Sequence, residues 1–292
     1  MSARAPRPAR LALVALCAAL TSLAALAHVG SAETVGRSSK GRPITAIRVG
    51  SRLREAHRDG GRRDPRQRAR RPRGGAQAPR REAAAGRALS ALRESGTDPV
   101  ALLTTVTEGY DRVSMHGVRR ELLRSQAVAT GLALIEVSIP ARCSNDVYDQ
   151  RMADAFASAR LADAEAVAFG DLFLEDIRAY REERLAAAGK RGVFPLWARD
   201  TRELSRQFVS AGFEAVLVCV DPRQLNPSFA GRHFDERLLA ELPEGVDPCG
   251  ENGEFHTFVH AGPVFAEPVG CEVGEVSVRD GFAFCDVRAR AS

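Results

Sequence analysis

The sequence predicts an α/β fold: a parallel sheet with helices on both faces, followed by a small antiparallel β unit. Three observations predict it. Strand-like and helix-like segments alternate from residue 87 to residue 221. The strand-like segments are near-continuous apolar runs, as expected of strands buried on both faces. After Asp221 the alternation stops, and the chain turns to prolines and short alternating segments. At 292 residues and 45% hydrophobic content, the chain has material for one large core or two small ones.

The elements follow in order. GRALSALRES reads as a short helix and VALLTTVT, residues 100 to 107, as a buried strand. The polar loop EGYDRVSMHG leads to a helix, VRRELLRSQAVAT, that stops at Gly131, and then to the strand LALIEVSIP. SNDVYDQRMADAFASARLA is a helix with Ser144 as its N-cap and Asp146 in its first turn. The strand AVAFGDL, the helix DIRAYREERLAAAG and the strand GVFPLW come next. TRELSRQFVSAGF and EAVLVCVD complete the alternation as a helix and a last parallel strand. Residues 222 to 292 read as an appended α+β unit on the substrate side: one helix, FDERLLAEL, then the hairpin VGEVSVRDGFAFCDV turning at Asp280-Gly281.

The N-terminal third has a different character. Residues 1 to 36 look like a secretory signal, with Arg4, Arg7 and Arg10 ahead of LALVALCAALTSLAALA. That run is too short for a membrane span, so no membrane is expected as a partner. Residues 37 to 87 carry 17 Arg/Lys against 4 Asp/Glu, so the net charge of +5 hides an acidic remainder. Residues 1 to 86 lack a periodic apolar face and are expected to be disordered and dispensable, the Arg-rich segment 37 to 86 above all. Its charge suits nucleic acid or anionic lipid, but it has no aromatic residue for base stacking, and no specific nucleic-acid partner is expected. Of six cysteines, Cys17, Cys143, Cys219, Cys249, Cys271 and Cys285, none forms a CxxC pair. Loss of Cys17 with a signal would leave an odd five, which points to reduced thiols.

Ligands of open α/β sheets bind beyond the carboxyl ends of the strands. Thr104, Thr105 and Thr107 end one strand, Gly170 and Asp171 another, and Asp221 a third. Each has a plain structural explanation, but three in register suggest a ligand crevice. The densest polar cluster is CGENGEFHTFVH, residues 249 to 260. Its glycines would let backbone N–H groups approach an anion, and its carboxylates could hold magnesium or orient a nucleophile. A zinc site of Cys249, His256 and His260 is conceivable, although the spacing matches no standard one.

GENGEFHTFV resembles the EGGEFET-type motif of the ATP-pyrophosphatase (diphthamide synthase domain) family that includes diphthine–ammonia ligase. The resemblance continues through VALLTTVTEGYDRVSMHGV, FGDLFLEDIR, VFPLW and AGFEAVLVCVD in the expected order, covering about residues 87 to 290. It implies an adenine nucleotide α-hydrolase-like (HUP) fold and chemistry in which ATP activates a carboxylate as an acyl-adenylate, pyrophosphate leaves and ammonia attacks. ATP and Mg2+ are the implied cofactors; ammonia and a small-molecule or protein carboxylate are the implied partners. Glu251, Gly253, Glu254 and Phe255 fall on the EGGEF-type motif, with Asn252 and His256 as replacements. Asp176 falls on the aspartate of an SDYQR-like segment, in which Ile177 and Arg178 replace Tyr and Gln, and Pro195, Leu196 and Trp197 match a structural PLW. With Asp171 taken from its strand end, the resemblance makes Asp176, Arg178, Glu251, Asn252, Glu254 and His256 the other catalytic candidates, and Asp171, Glu251 and Glu254 are expected to place metal or substrate. The departures suggest a bacterial side branch with a different acid substrate.

One part of the family pattern is missing. Members begin with a strand and an SGGKDS-type loop that cradles phosphate at a helix N-terminus. Here EAAAG stands at that point and no apolar strand is read ahead of it, so the first strand and the phosphate loop are both expected to be absent. Gly86 and Arg87 are the nearest cofactor-side candidates, with Thr104, Thr105 and Gly170. Arg/Ala/Gly/Pro-rich text is what a shifted frame of GC-rich coding DNA yields, so residues 1 to 86 are expected not to be the native frame. A cytoplasmic protein follows, or an exported one if the leader is genuine. A non-catalytic binding protein that keeps the crevice is the competing class.

Overall fold

In the computed structural model, the described residues are 13–16, 32–37 and 43–47, for which the backbone is given, and 82–97, 99–113, 116–141 and 143–290. Five strands form a parallel sheet: β1 (Leu13–Leu16), β4 (Pro99–Thr107), β5 (Ala133–Ile139), β6 (Ala166–Ala168) and β7 (Arg191–Val193). Their order is β5-β4-β1-β6-β7. The chain thus builds outward from β1 on one side and returns to build on the other, the doubly wound arrangement of a HUP-like fold. β2 (Ala32–Arg37) and β3 (Pro43–Ile47) pair antiparallel as a separate ribbon.

Helices fill the connections: α1 (Glu82–Glu94), α2 (Arg120–Thr130), α3 (Asn145–Ala157), α4 (Glu175–Ala187) and α5 (Thr201–Ser210). Their ends follow local chemistry. α2 stops where Gly131 takes φ 72°, a left-handed conformation that a side chain disfavours. α3 starts where the Ser144 hydroxyl accepts the Val147 N–H at 3.4 Å. One core packs α3 and α4 on the sheet through Leu103, Val137, Met152, Phe156, Val167 and Leu185.

The second sheet is antiparallel, in the order β10-β11-β8-β9, with β8 (Glu214–Val220), β9 (Phe255–Ala261), β10 (Cys271–Arg279) and β11 (Phe282–Ala289). A short helix, α6 (Glu236–Glu241), lies between β8 and β9 in the chain. The β10–β11 hairpin turns at Asp280 and Gly281, both with positive φ, as two-residue hairpin turns require.

Three expectations are corrected. EAVLVCV is not the last parallel strand but a central strand of the second sheet, pairing antiparallel with β9 and β11. A strand buried on both faces reads alike in either setting, so its apolar run could not reveal its partners. Second, β1 occupies the central slot expected to be empty, hydrogen-bonded to β4 and β6, so a strand does precede α1 in the sheet. Third, EAAAG is the first part of α1 rather than a loop, and Leu13–Leu16, Ala32–Arg37 and Pro43–Ile47 are strands within the 86 residues expected to be disordered. The remaining disorder expectation, and any phosphate loop after β1, fall on residues 1–12, 17–31, 38–42 and 48–81, outside the described residues. Among the described residues no helix is long and apolar enough to cross a membrane.

Candidate functional site

The register places the polar strand ends together. Ala15 of β1 lies level with Leu102 and with Ala168. Thr104 and Thr105 therefore stand two and three residues beyond that level on one side, and Gly170 and Asp171 stand equally far beyond it on the other. All four are buried. The Thr105 hydroxyl has no hydrogen-bond partner among the described residues. Gly170 is needed for close packing: a Cβ there would lie 2.9 Å from the Ala84 carbonyl carbon in the first turn of α1.

Asp171 sits at the switch point of the sheet, fully buried, with its Oδ2 3.2 Å from Nε of Arg181. Arg181 projects from the buried face of α4, its guanidinium 4.1 Å from the centre of the Phe169 ring. Burial pulls the Arg181 guanidinium down to about 9, and it stays charged at neutral pH. Glu251 acts on the same guanidinium electrostatically, and its Oε1 accepts the Leu172 N–H at 3.1 Å. Two carboxylates and one guanidinium thus share a dry volume. Such a group exerts a strong local field because little solvent screens it.

The GENGEF segment is a turn organised by its own side chains. Glu254 accepts N–H donors from Asp247 (3.0 Å) and Asn252 (2.9 Å), and from the Asn252 side-chain amide (3.0 Å). Asp247 accepts the Glu251 N–H at 2.7 Å. Glu254 and Asn252 are therefore committed to turn geometry, and the turn aims Glu251 at Leu172. Gly250 closes it with φ 67° and has no room for a side chain, because a Cβ would meet the Phe255 carbonyl oxygen at 2.7 Å.

His256 follows on β9 and packs against His116, with ring centroids 4.7 Å apart and planes at 53°. His116 lies in the loop after β4. Val113 pairs with Val106, Arg112 pairs with Arg119, and the Arg112 guanidinium donates to the Gly117 carbonyl at 2.6 Å. The loop is tied to the second sheet by Asp286. This carboxylate accepts from Arg119 Nε and Nη2 (3.0 and 2.8 Å), Arg112 Nη2 (2.8 Å) and Arg288 Nε (3.0 Å). The Arg119 hydrogen bonds, helped by Arg112 and Arg288, hold Asp286 well below the usual carboxylate range. A depressed value stabilises the fold above the unfolded carboxylate value of 3.8 and is lost as pH falls through the folded value. Asp286→Asn is expected to lower the unfolding free energy by roughly 1–2 kcal/mol at neutral pH, discounted for partial exposure. Urea unfolding of both proteins should show the difference at neutral pH and its disappearance in acid.

The other candidates fall elsewhere. Asp176 is exposed in the first turn of α4. Arg178 is held over the Phe194 and Trp197 rings, at 4.7 and 4.6 Å, and donates to Glu182. Gly86 lies in the second turn of α1 facing Phe213, and Arg87 runs along the same helix towards Ser90 and Glu94. Both serve helix packing in this position. Asp221 belongs to the second sheet, where burial opposes its charge but Arg223 and Gln224 hydrogen bonds keep it below the ordinary range. The zinc reading is also corrected. Cys249 Sγ donates to the Thr201 carbonyl, His260 lies beside Glu214, and no group of three or more metal-binding side chains occurs among the described residues. Sequence reasoning missed Arg181 and His116. An arginine one turn from Leu185 on the apolar stripe of a helix was the available signal for the first. His116, within the loop EGYDRVSMHG, gave none.

Fold and site define a HUP-like α/β protein with a buried carboxylate–guanidinium cluster at the switch point of its sheet. Residues 200–290 match the Diphthamide synthase C-terminal domain. The chain is similar to diphthine–ammonia ligase of Homo sapiens, 25% identical over 214 residues, covering 68% of this chain and 78% of that protein. The Rattus norvegicus protein of the same name is 23% identical over 193 residues, covering 62% and 70%. The Danio rerio one is 33% identical over 100 residues, covering 32% and 38%. Residues 200–290 thus resemble the C-terminal domain of the diphthamide synthase family.

Proposed function

We propose that the protein is an ATP-dependent ligase that converts a carboxylate to an amide through an acyl-adenylate, with ammonia as acceptor. The observation that carries this reading is the convergence of Asp171, Glu251 and Arg181 at the edge of the sheet where this fold binds nucleotides. Carboxylate oxygens are the hard donors that magnesium takes, usually one or two from the protein with phosphate and water completing the shell. Asp171 and Glu251 fit that role. Magnesium bound there would neutralise charge on the phosphates of ATP, and the buried Thr105 hydroxyl is a free hydrogen-bonding group on the same edge. Asp171 and Glu251 would act by placement and field rather than as nucleophiles.

Asn252 and His256, which replace residues of the family motif, favour a bacterial side branch acting on an acid other than diphthine, in the cytoplasm. The absence of an SGGKDS-type segment from the sequence favours a second reading, a non-catalytic protein that keeps the crevice. Pyrophosphate release with ATP, ammonium and a panel of carboxylic acids separates the two. The assay compares this chain with one carrying an SGGKDS-type loop ahead of Gly86. The restored chain is expected to turn over ATP faster. Equal turnover would remove the role given to the loop, and no turnover by either chain with any acid would leave the binding-protein reading.

A further inference from the structure

His116 takes no part in the chemistry given to Asp171, Glu251 and Arg181. It is fully buried, and both ring nitrogens lack a hydrogen-bond partner among the described residues. Leaving a buried polar group unsatisfied is costly, so such groups usually have a partner that comes and goes or a functional reason. The surrounding loop is built to hold this ring in place. Arg112 fixes the Gly117 carbonyl, Gly117 takes φ 69° with Phe284 packed where a Cβ would be, and Asp286 anchors the loop at both ends. The ring it touches is another imidazole, His256, on the strand that leaves the Glu251 turn.

Burial pulls His116 down to about 4, so it is neutral at physiological pH. A neutral imidazole offers one acceptor and one donor and no positive charge. An anion such as a phosphate or a carboxylate gains little from it, and a cation would have to shed its water to reach a ring so deeply buried. A small uncharged N–H donor suits it best.

We propose that His116 seats the acceptor amine, taking it as neutral ammonia with a ring nitrogen accepting one N–H. This rests on the ligase reading, in which the free amine and not ammonium must attack the acyl group. The ring contact with His256 places the seat beside the turn that carries Glu251.

The test needs no turnover. The full-length chain, with its six histidines 15N-labelled in the ring, is titrated with ammonium chloride, with potassium chloride at equal ionic strength as control. His116→Gln assigns the resonance. The His116 ring nitrogens are expected to shift saturably with ammonium chloride and not with potassium chloride. Because ammonia is the minor species near neutrality, the total ammonium at half-shift should fall about tenfold for each unit rise in pH. No saturable shift, an equal shift with potassium, or a half-shift independent of pH would overturn the proposal. The two readings fail separately. A shift without ligase turnover would keep the amine seat and sink the ligase, whereas turnover without a shift would do the reverse.

Discussion

Replacing Arg181 by leucine is expected to cost about 3–5 kcal/mol of folding stability, the range for breaking a buried ion pair from one side. The size follows from what remains. Asp171 and Glu251 are 0% and 1% exposed, and without the guanidinium they would sit as two like charges in a dry volume. Like charges in such a volume repel strongly because little solvent screens them. Leucine also gives up the contact of the guanidinium with the Phe169 ring. Urea unfolding followed by the single tryptophan, Trp197, measures the loss. The double variant Asp171→Asn/Arg181→Leu should recover part of it, because one of the two unpaired charges is then absent. An unchanged midpoint in the single variant would show that water reaches the cluster and screens it.

This cluster also marks the limit of what the sequence can convey. The alternation of apolar runs and helices is enough to foresee a parallel sheet, because strands buried on both faces need helices above and below. The Asp280-Gly281 turn is legible because a two-residue hairpin restricts residue type so tightly. The place of β8 is not legible. VLVCV is equally at home between parallel or antiparallel neighbours, and only its pairing with β9 and β11 decides. At the site, Asp171 and Glu251 can be foreseen from strand ends and from the motif, but their partner cannot. Arg181 lies ten residues past Asp171 on a helix, and only the packing of that helix turns it inward. Glu254 shows the converse. Its motif position suggests chemistry, whereas its three accepted hydrogen bonds show a residue that shapes the turn.

Asp171→Asn should separate chemistry from packing at the same position. Asparagine keeps the size of the side chain and removes one of two negative charges beside Arg181, leaving the guanidinium with Glu251 alone. Stability should therefore change far less than in Arg181→Leu. Pyrophosphate release, by contrast, is expected to fall about 10²–10³-fold, the cost of removing one well-placed electrostatic group from a dry active site. If Asp171 holds magnesium, the variant should also need more of the ion to reach half its own maximal rate, since an amide oxygen is a weaker ligand than a carboxylate. The measurement is pyrophosphate release against magnesium concentration at saturating ATP, made on this chain and on the one with the restored loop. A fall in rate with an unchanged magnesium dependence would leave Asp171 a role in orienting substrate through Arg181. Parent-like turnover would remove it from the mechanism, and the buried pair would then serve only to join α4 to the edge of the sheet.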